Sequence, residues 1–155
     1  YNPHSGQTGC WNCPTGHYED RSGSGGCKQC PSGKYQPYSG RTSCYDCPAG
    51  MYQNSNAQTG CKHCPAGQYE SSSGKSGCRS CPAGKYTESH GFTGCRDCPA
   101  GEYQDGSGAT GCKNCPGGRY TNGDGKSSCS ACPTGKYQDA TRQTDCKSCP
   151  AGTYQ

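Results

Sequence analysis

The chain has 155 residues, a formal net charge of +4, and no Val, Ile or Leu at any position. Its apolar complement is 18 Cys, 12 Tyr, nine Ala and single copies of Trp11, Phe92 and Met51. Ordering a residue costs roughly 1–2 kcal/mol of backbone entropy, and burying an aliphatic side chain returns about 1.5–3 kcal/mol. With no aliphatic side chain to bury, an ordinary globular core is excluded, and with it the enclosed active site such a core would support.

Cysteine at this density points to covalent staples and to an oxidising compartment, so the chain is expected to be extracellular, secreted or at a cell surface. No stretch is apolar enough for a signal peptide or a membrane span. The chain begins at Tyr1 and stops at Gln155 inside its own pattern, and is read as a stretch of a longer array. Positive charge is distributed rather than clustered. Lys28, Lys62, Arg79, Arg96, Lys113 and Lys147 recur once per repeat, with Asp20, Glu88, Asp105 and Asp139 among them. That is a solvated mixed-charge surface, not the concentrated patch of a nucleic-acid binder.

In chain order the organisation is one tandem array over residues 1–155, with partial repeats at both ends. Leading cysteines fall at Cys10, Cys27, Cys44, Cys61, Cys78, Cys95, Cys112, Cys129 and Cys146, always 17 residues apart. The second cysteines, Cys13, Cys30, Cys47, Cys64, Cys81, Cys98, Cys115, Cys132 and Cys149, keep the same step, giving nine C-x-x-C motifs without an insertion. Each second cysteine is followed by Pro, a small residue, Gly, a variable residue and then Tyr, as in Cys81-Pro82-Ala83-Gly84-Lys85-Tyr86. The register tyrosines are Tyr1, Tyr18, Tyr35, Tyr52, Tyr69, Tyr86, Tyr103, Tyr120, Tyr137 and Tyr154.

Between tyrosine and the next cysteine the chain is polar and turn-rich, as in Gly91-Phe92-Thr93-Gly94-Cys95. No stretch keeps a helical apolar period, and Pro and Gly punctuate every repeat, so helix is excluded. Each repeat is expected to double back: a short extended piece at the tyrosine, a turn, and a short return. The fold class expected is a small disulfide-rich repeat protein, an extended solenoid or rod of hairpin-like loops with each unit touching only its neighbours. Ala57 and Arg142 depart from the pattern only at a turn position where Gly is usual.

Three roles compete for the cysteines. Paired C-x-x-C motifs occur in zinc ribbons. Against zinc, nine motifs do not pair off evenly, and Pro after each second cysteine removes an N–H that could support a metal-bound thiolate. Redox catalysis needs a βαβ scaffold and one activated thiol, which nine copies on a core-less chain do not resemble. Structural disulfides are the reading adopted, with no cofactor and no metal. A bond inside C-x-x-C closes a loop worth about 1.9 kcal/mol on the chain-entropy model. A bond from a second cysteine to the next leading one, such as Cys13 to Cys27, closes a loop worth about 3 kcal/mol. The longer loop is preferred, and the short one stays open as an alternative.

The motif C-x-x-C-P-x-G-x-Y, a polar loop and the next cysteine resembles the cysteine-rich repeats of the ephrin-receptor-like group. It is also similar to the first loop module of tumour necrosis factor receptor repeats. The resemblance covers the whole chain. It implies that the cysteine before Pro bonds the next leading cysteine: Cys13–Cys27, Cys30–Cys44, Cys47–Cys61, Cys64–Cys78, Cys81–Cys95, Cys98–Cys112, Cys115–Cys129 and Cys132–Cys146. Cys10 and Cys149 are then left for repeats outside this stretch or for another chain. The extra cysteines of tumour necrosis factor receptors are absent, so their ligand groove does not carry over. Long uniform arrays of this kind look like those of large surface proteins of algae and other protists.

Of the other residues, the register tyrosines are expected to pack on their own Pro and disulfide as a structural aromatic ladder. His4, His17, His63 and His90 sit at unrelated offsets and build no repeated site. No Asn-x-Ser/Thr acceptor occurs, while Ser39, Ser73, Ser107, Thr59, Thr93 and Thr110 offer loop hydroxyls for O-glycosylation. The chain is expected not to be an enzyme. It is expected to be an extracellular structural protein, a stapled rod serving as subunit or shaft of a surface fibre, appendage or matrix. Its partners would be its own kind or other matrix or appendage proteins, with glycans as further ligands. The alternative is a ligand-binding or adhesive receptor ectodomain, which the uniformity of the repeats disfavours.

Overall fold

The structure, a computed structural model, describes residues 9–154. Tyr1 and His4 therefore lie outside the described residues. Among the described residues there is no helix, and the regular structure is short antiparallel pairing.

Each repeat begins with a turn that its sequence dictates. In Pro14-Thr15-Gly16-His17 the His17 N–H donates to the Pro14 carbonyl at 3.1 Å, and Gly16 takes a φ of +75°. A type II turn requires positive φ at its third residue, which Gly supplies without steric cost. The turn delivers the chain into a two-residue strand that ends on the register tyrosine. After the polar excursion a second two-residue strand returns beside the first.

The chain divides into two compact units, Tyr1–Cys64 with Glu70–Arg79, and Pro65–Tyr69 with Ser80–Gln155. In the first unit β1 (His17–Tyr18) pairs with β2 (Lys28–Gln29), β3 (Lys34–Tyr35) with β4 (Tyr45–Asp46), and β5 (Met51–Tyr52) with β6 (Lys62–His63). Two further strands are β7 (Gln68–Tyr69) and β8 (Arg79–Ser80). In the second unit β9 (Lys85–Tyr86) pairs with β10 (Arg96–Asp97), and β11 (Glu102–Tyr103) with β12 (Lys113–Asn114). There too β13 (Arg119–Tyr120) pairs with β14 (Ser130–Ala131), and β15 (Lys136–Tyr137) with β16 (Lys147–Ser148).

Eight disulfides close the loops: Cys13–Cys27, Cys30–Cys44, Cys47–Cys61, Cys64–Cys78, Cys81–Cys95, Cys98–Cys112, Cys115–Cys129 and Cys132–Cys146. Their Cα atoms stand 5.7–5.8 Å apart, the ordinary separation for a disulfide. The chain is a small disulfide-rich repeat protein in which each excursion is tied at its neck.

The buried set differs from the aromatic miniature core expected above. Cys30, Cys47, Cys64, Cys81, Cys98 and Cys115 are fully buried, and so, nearly, are Gln36, Gln53, Glu70 and Thr87, each directly after a register tyrosine. The register tyrosines from Tyr18 to Tyr137 are only half-buried, and Tyr154 is exposed. The physical reason is the alternation along a strand. The tyrosine lies on the outer side of the hairpin, and the following residue turns inward beside the disulfide.

Successive loops join through backbone hydrogen bonds. In the first unit Gly33 N donates to Gln53 O at 2.7 Å, Gln36 N to Gln58 O at 3.0 Å, and Ala57 N to Cys30 O at 2.8 Å. In the second unit the equivalent bonds are Gly84 N to Gln104 O at 2.7 Å, Thr87 N to Ala109 O at 3.2 Å, and Gly108 N to Cys81 O at 2.8 Å. Contact does not stop at the nearest neighbour, which corrects the expectation of purely adjacent packing. A Cβ on Gly33 would lie 2.8 Å from the Gly74 carbonyl carbon, and one on Gly84 would lie 2.8 Å from that of Gly125. The missing side chain of the Pro-x-Gly turn admits the loop tip from two repeats further on. Arg142 and Glu102, 2.8 Å apart, add an ion pair across the same interval.

Candidate functional site

The repeated surface is built at the hairpin necks. Across five of the necks, eight residues apart, a basic side chain meets an acid or amide. Lys113 Nζ lies 2.7 Å from Asp105, Lys147 Nζ lies 3.1 Å from Asp139, and Lys62 Nζ donates to Asn54 at 3.1 Å. Lys28 with Asp20 and Arg96 with Glu88 repeat the pairing. Lys28, Lys113 and Lys147 also stand over the tyrosines Tyr18, Tyr103 and Tyr137 at 5.8–5.9 Å. The lysine hydrogen bond holds Asp105 below the usual carboxylate range, and Asp20 and Asp139 are lowered in the same way by Lys28 and Lys147. These exposed pairs neutralise one another locally and add little to stability.

Beneath the necks a buried polar register braces each loop. Gln36, Gln53, Gln104 and Gln138 each donate Nε2–H to a carbonyl seven residues on, those of Ser43, Gly60, Gly111 and Asp145, at 2.7–2.8 Å. Thr87 and Thr121 do something different at this position: their Oγ1 accepts the N–H of Gly67 and of Gly101 at 2.7 Å. The sequence carries a signal for this register that composition alone hides. Only Gln, Glu or Thr follows the tyrosine from Glu19 to Gln138, while the next residue varies freely.

One loop is unlike the rest. Where Lys28, Lys62, Arg96, Lys113, Lys147 and, in one repeat, Ser130 stand opposite the tyrosine, the loop closed by Cys30–Cys44 places Tyr45, with ring centroids of Tyr35 and Tyr45 5.8 Å apart. Tyr38 in the same loop is exposed and carries Arg41 5.2 Å from its ring centre. Beside it, in the same unit, an open cleft of about 390 Å³ is lined by residues that include exposed Trp11, Arg21 and Arg41.

No group of three or more His, Cys, Asp or Glu side chains among the described residues is placed to hold a metal ion. Cys10 is an exposed thiol and Cys149 a half-buried one. His17 donates its Nδ1–H to the Thr15 carbonyl, 3.1 Å away, within its own turn. Ser39, Ser73, Ser107, Thr59, Thr93 and Thr110 are all exposed on the loops. No helix of the described residues is long and apolar enough to cross a membrane. A family model described as tyrosine-protein kinase ephrin type A/B receptor-like matches residues 1–43, 16–60, 33–74, 52–94, 88–128 and 122–155, which together span the chain. No curated protein matches it.

Proposed function

Because the chain belongs to the tyrosine-protein kinase ephrin type A/B receptor-like family, we propose that it is a load-carrying shaft segment of an extracellular fibre, appendage or matrix. The family and its eight disulfides fit an extracellular or secreted protein. The observation that supports a shaft is the recurrence, within each unit, of one set of backbone bonds from loop to loop, such as Gly16 N to Gln36 O and Gly118 N to Gln138 O, both 2.7 Å. Backbone groups are available whatever the side chains, so the same junction extends an array by simple repetition. In this reading the chain performs no catalysis. Cys10 and Cys149 form disulfides with further repeats or a second chain, and the exposed loop hydroxyls carry O-linked glycans.

The experiment is immuno-electron microscopy of native material with an antibody against the repeat. Label spaced along an extended surface structure supports the shaft. Isolated label at the cell membrane supports a second reading, a ligand-binding ectodomain. The aromatic loop at Tyr35, Tyr38 and Tyr45 favours that reading, since it departs from the uniformity of the other repeats.

A further inference from the structure

We propose that Tyr35 and Tyr45 are a site of oxidative cross-linking, joined ring to ring by a haem peroxidase with hydrogen peroxide. In the other hairpins of known register the tyrosine faces a cation or a small residue: Lys28, Lys62, Arg96, Lys113, Ser130 or Lys147. Only Tyr35 faces a second phenol among these registers.

The two side chains are directly opposite across the neck, where cross-strand partners lie on one face of the pair. Their centroids are 5.8 Å apart and their planes are inclined by 43°. Tyr45 is 48% exposed, so an oxidant reaches it, and Tyr35 is half-buried beside it. The neck is already held by the Cys30–Cys44 disulfide, immediately before Tyr45. Coupling therefore needs rotation of two rings rather than a chance encounter, the advantage of a reaction made intramolecular.

The chemistry balances without further reagents. Each phenol gives one hydrogen atom, as an electron and a proton, to the peroxidase. The two radicals form a carbon–carbon bond between ring positions ortho to the hydroxyls. Each ring then moves its ortho hydrogen to the phenolic oxygen and regains aromaticity. Two ring C–H bonds are lost, one C–C bond forms, and hydrogen peroxide is reduced to two waters. The product is a second closure of the same neck that thiol reductants do not open.

The test treats the dilute oxidised chain with horseradish peroxidase and hydrogen peroxide, then reduces, digests and maps it by mass spectrometry. The expected product is a monomer lighter by two hydrogens, with a cross-linked peptide carrying Tyr35 and Tyr45 and the blue fluorescence of coupled tyrosines. Tyr45→Lys installs the residue that four other repeats use at this register, so its fold is kept and its eight disulfides are checked by mass. In that variant the cross-linked peptide falls to background, whereas Tyr38→Phe leaves it unchanged. Links mapped to Tyr38, covalent dimers as the main product, or no coupling at all would overturn the proposal.

Discussion

The Gln53 side chain donates its Nε2–H to the Gly60 carbonyl at 2.8 Å, while its Oε1 accepts the Ser55 N–H at 3.2 Å. One buried carboxamide thus ties both arms of the loop closed by Cys47–Cys61. Gln53→Ala removes both bonds, each with a net contribution of about 1 kcal/mol. Hydrogen exchange of the Ser55 amide should accelerate accordingly, while exchange in the second unit stays unchanged. Equal exchange in the variant would show that the loop does not depend on this brace.

At the same register Glu70 is a misfit. Its carboxylate accepts the Ser72 N–H at 3.1 Å, and Arg79 Nε lies 3.8 Å away. An ionised carboxylate has no hydrogen to donate to Gly77, the residue equivalent to Gly60. Glu70→Gln restores a donor at a buried position and should stabilise this loop by about 1 kcal/mol. Slower exchange or slower proteolysis between residues 70 and 78 is the expected reading, and faster proteolysis would contradict it.

Two glycines separate backbone strain from close approach. Gly23 and Gly33 have φ of +75° and +82°, but a Cβ on Gly23 meets nothing within 4 Å while one on Gly33 meets the Gly74 carbonyl. Gly23→Ala should cost about 1–2 kcal/mol from the left-handed backbone alone. Gly33→Ala should cost more, and should loosen residues near Gly74 as well as its own turn. Ala57, already at a φ of 57°, should be stabilised by substitution to Gly. Unfolding free energies of the three variants, with exchange maps, give the comparison.

This contrast also marks what a reader of the sequence could recover. The 17-residue period, the lack of Val, Ile and Leu, and the Pro-x-Gly-x-Tyr turn point to a stapled repeat of short hairpins. Gly16 and Gly33 read plainly as turn residues, because positive φ is a local property. Their second duty, admitting a loop from two repeats away, depends on how loops stack, and a period alone does not encode it. Gln36 and Gln53 were equally hidden. A polar residue in a polar loop suggests solvent, and only their restriction to Gln, Glu and Thr down the array betrays burial. The departures Ala57 and Arg142 are visible as breaks in a Gly column, and both take positive φ, 57° and 60°.

The neck ion pairs make a prediction about pH. Asp105 is held below the ordinary carboxylate value by its hydrogen bond from Lys113, and Lys113 is raised in turn. A depressed carboxylate stabilises the folded chain above its unfolded value, near 4, and that contribution is lost as pH falls through the depressed folded value. A raised lysine contributes below its unfolded value and loses this as pH rises through the raised folded one. The pair therefore acts between these limits, and weakly, since both groups are exposed. Lys113→Met should move the Asp105 titration, followed by carboxyl carbon NMR, upward toward the ordinary range. No movement would mean that the pair is not formed in solution.

The central claim is that disulfides and a backbone ladder take the place of an apolar core. Limited proteolysis with hydrogen exchange, run on the oxidised chain, on the chain treated with a thiol reductant, and on the chain treated with a metal chelator, tests it most directly. Reduction should abolish protection at amides such as Gln36, Gln53 and Gln104, whose N–H groups donate to the next loop. Chelation should leave protection intact. Loss of protection on chelation, or a reduced chain that keeps its protected amides, would contradict the account.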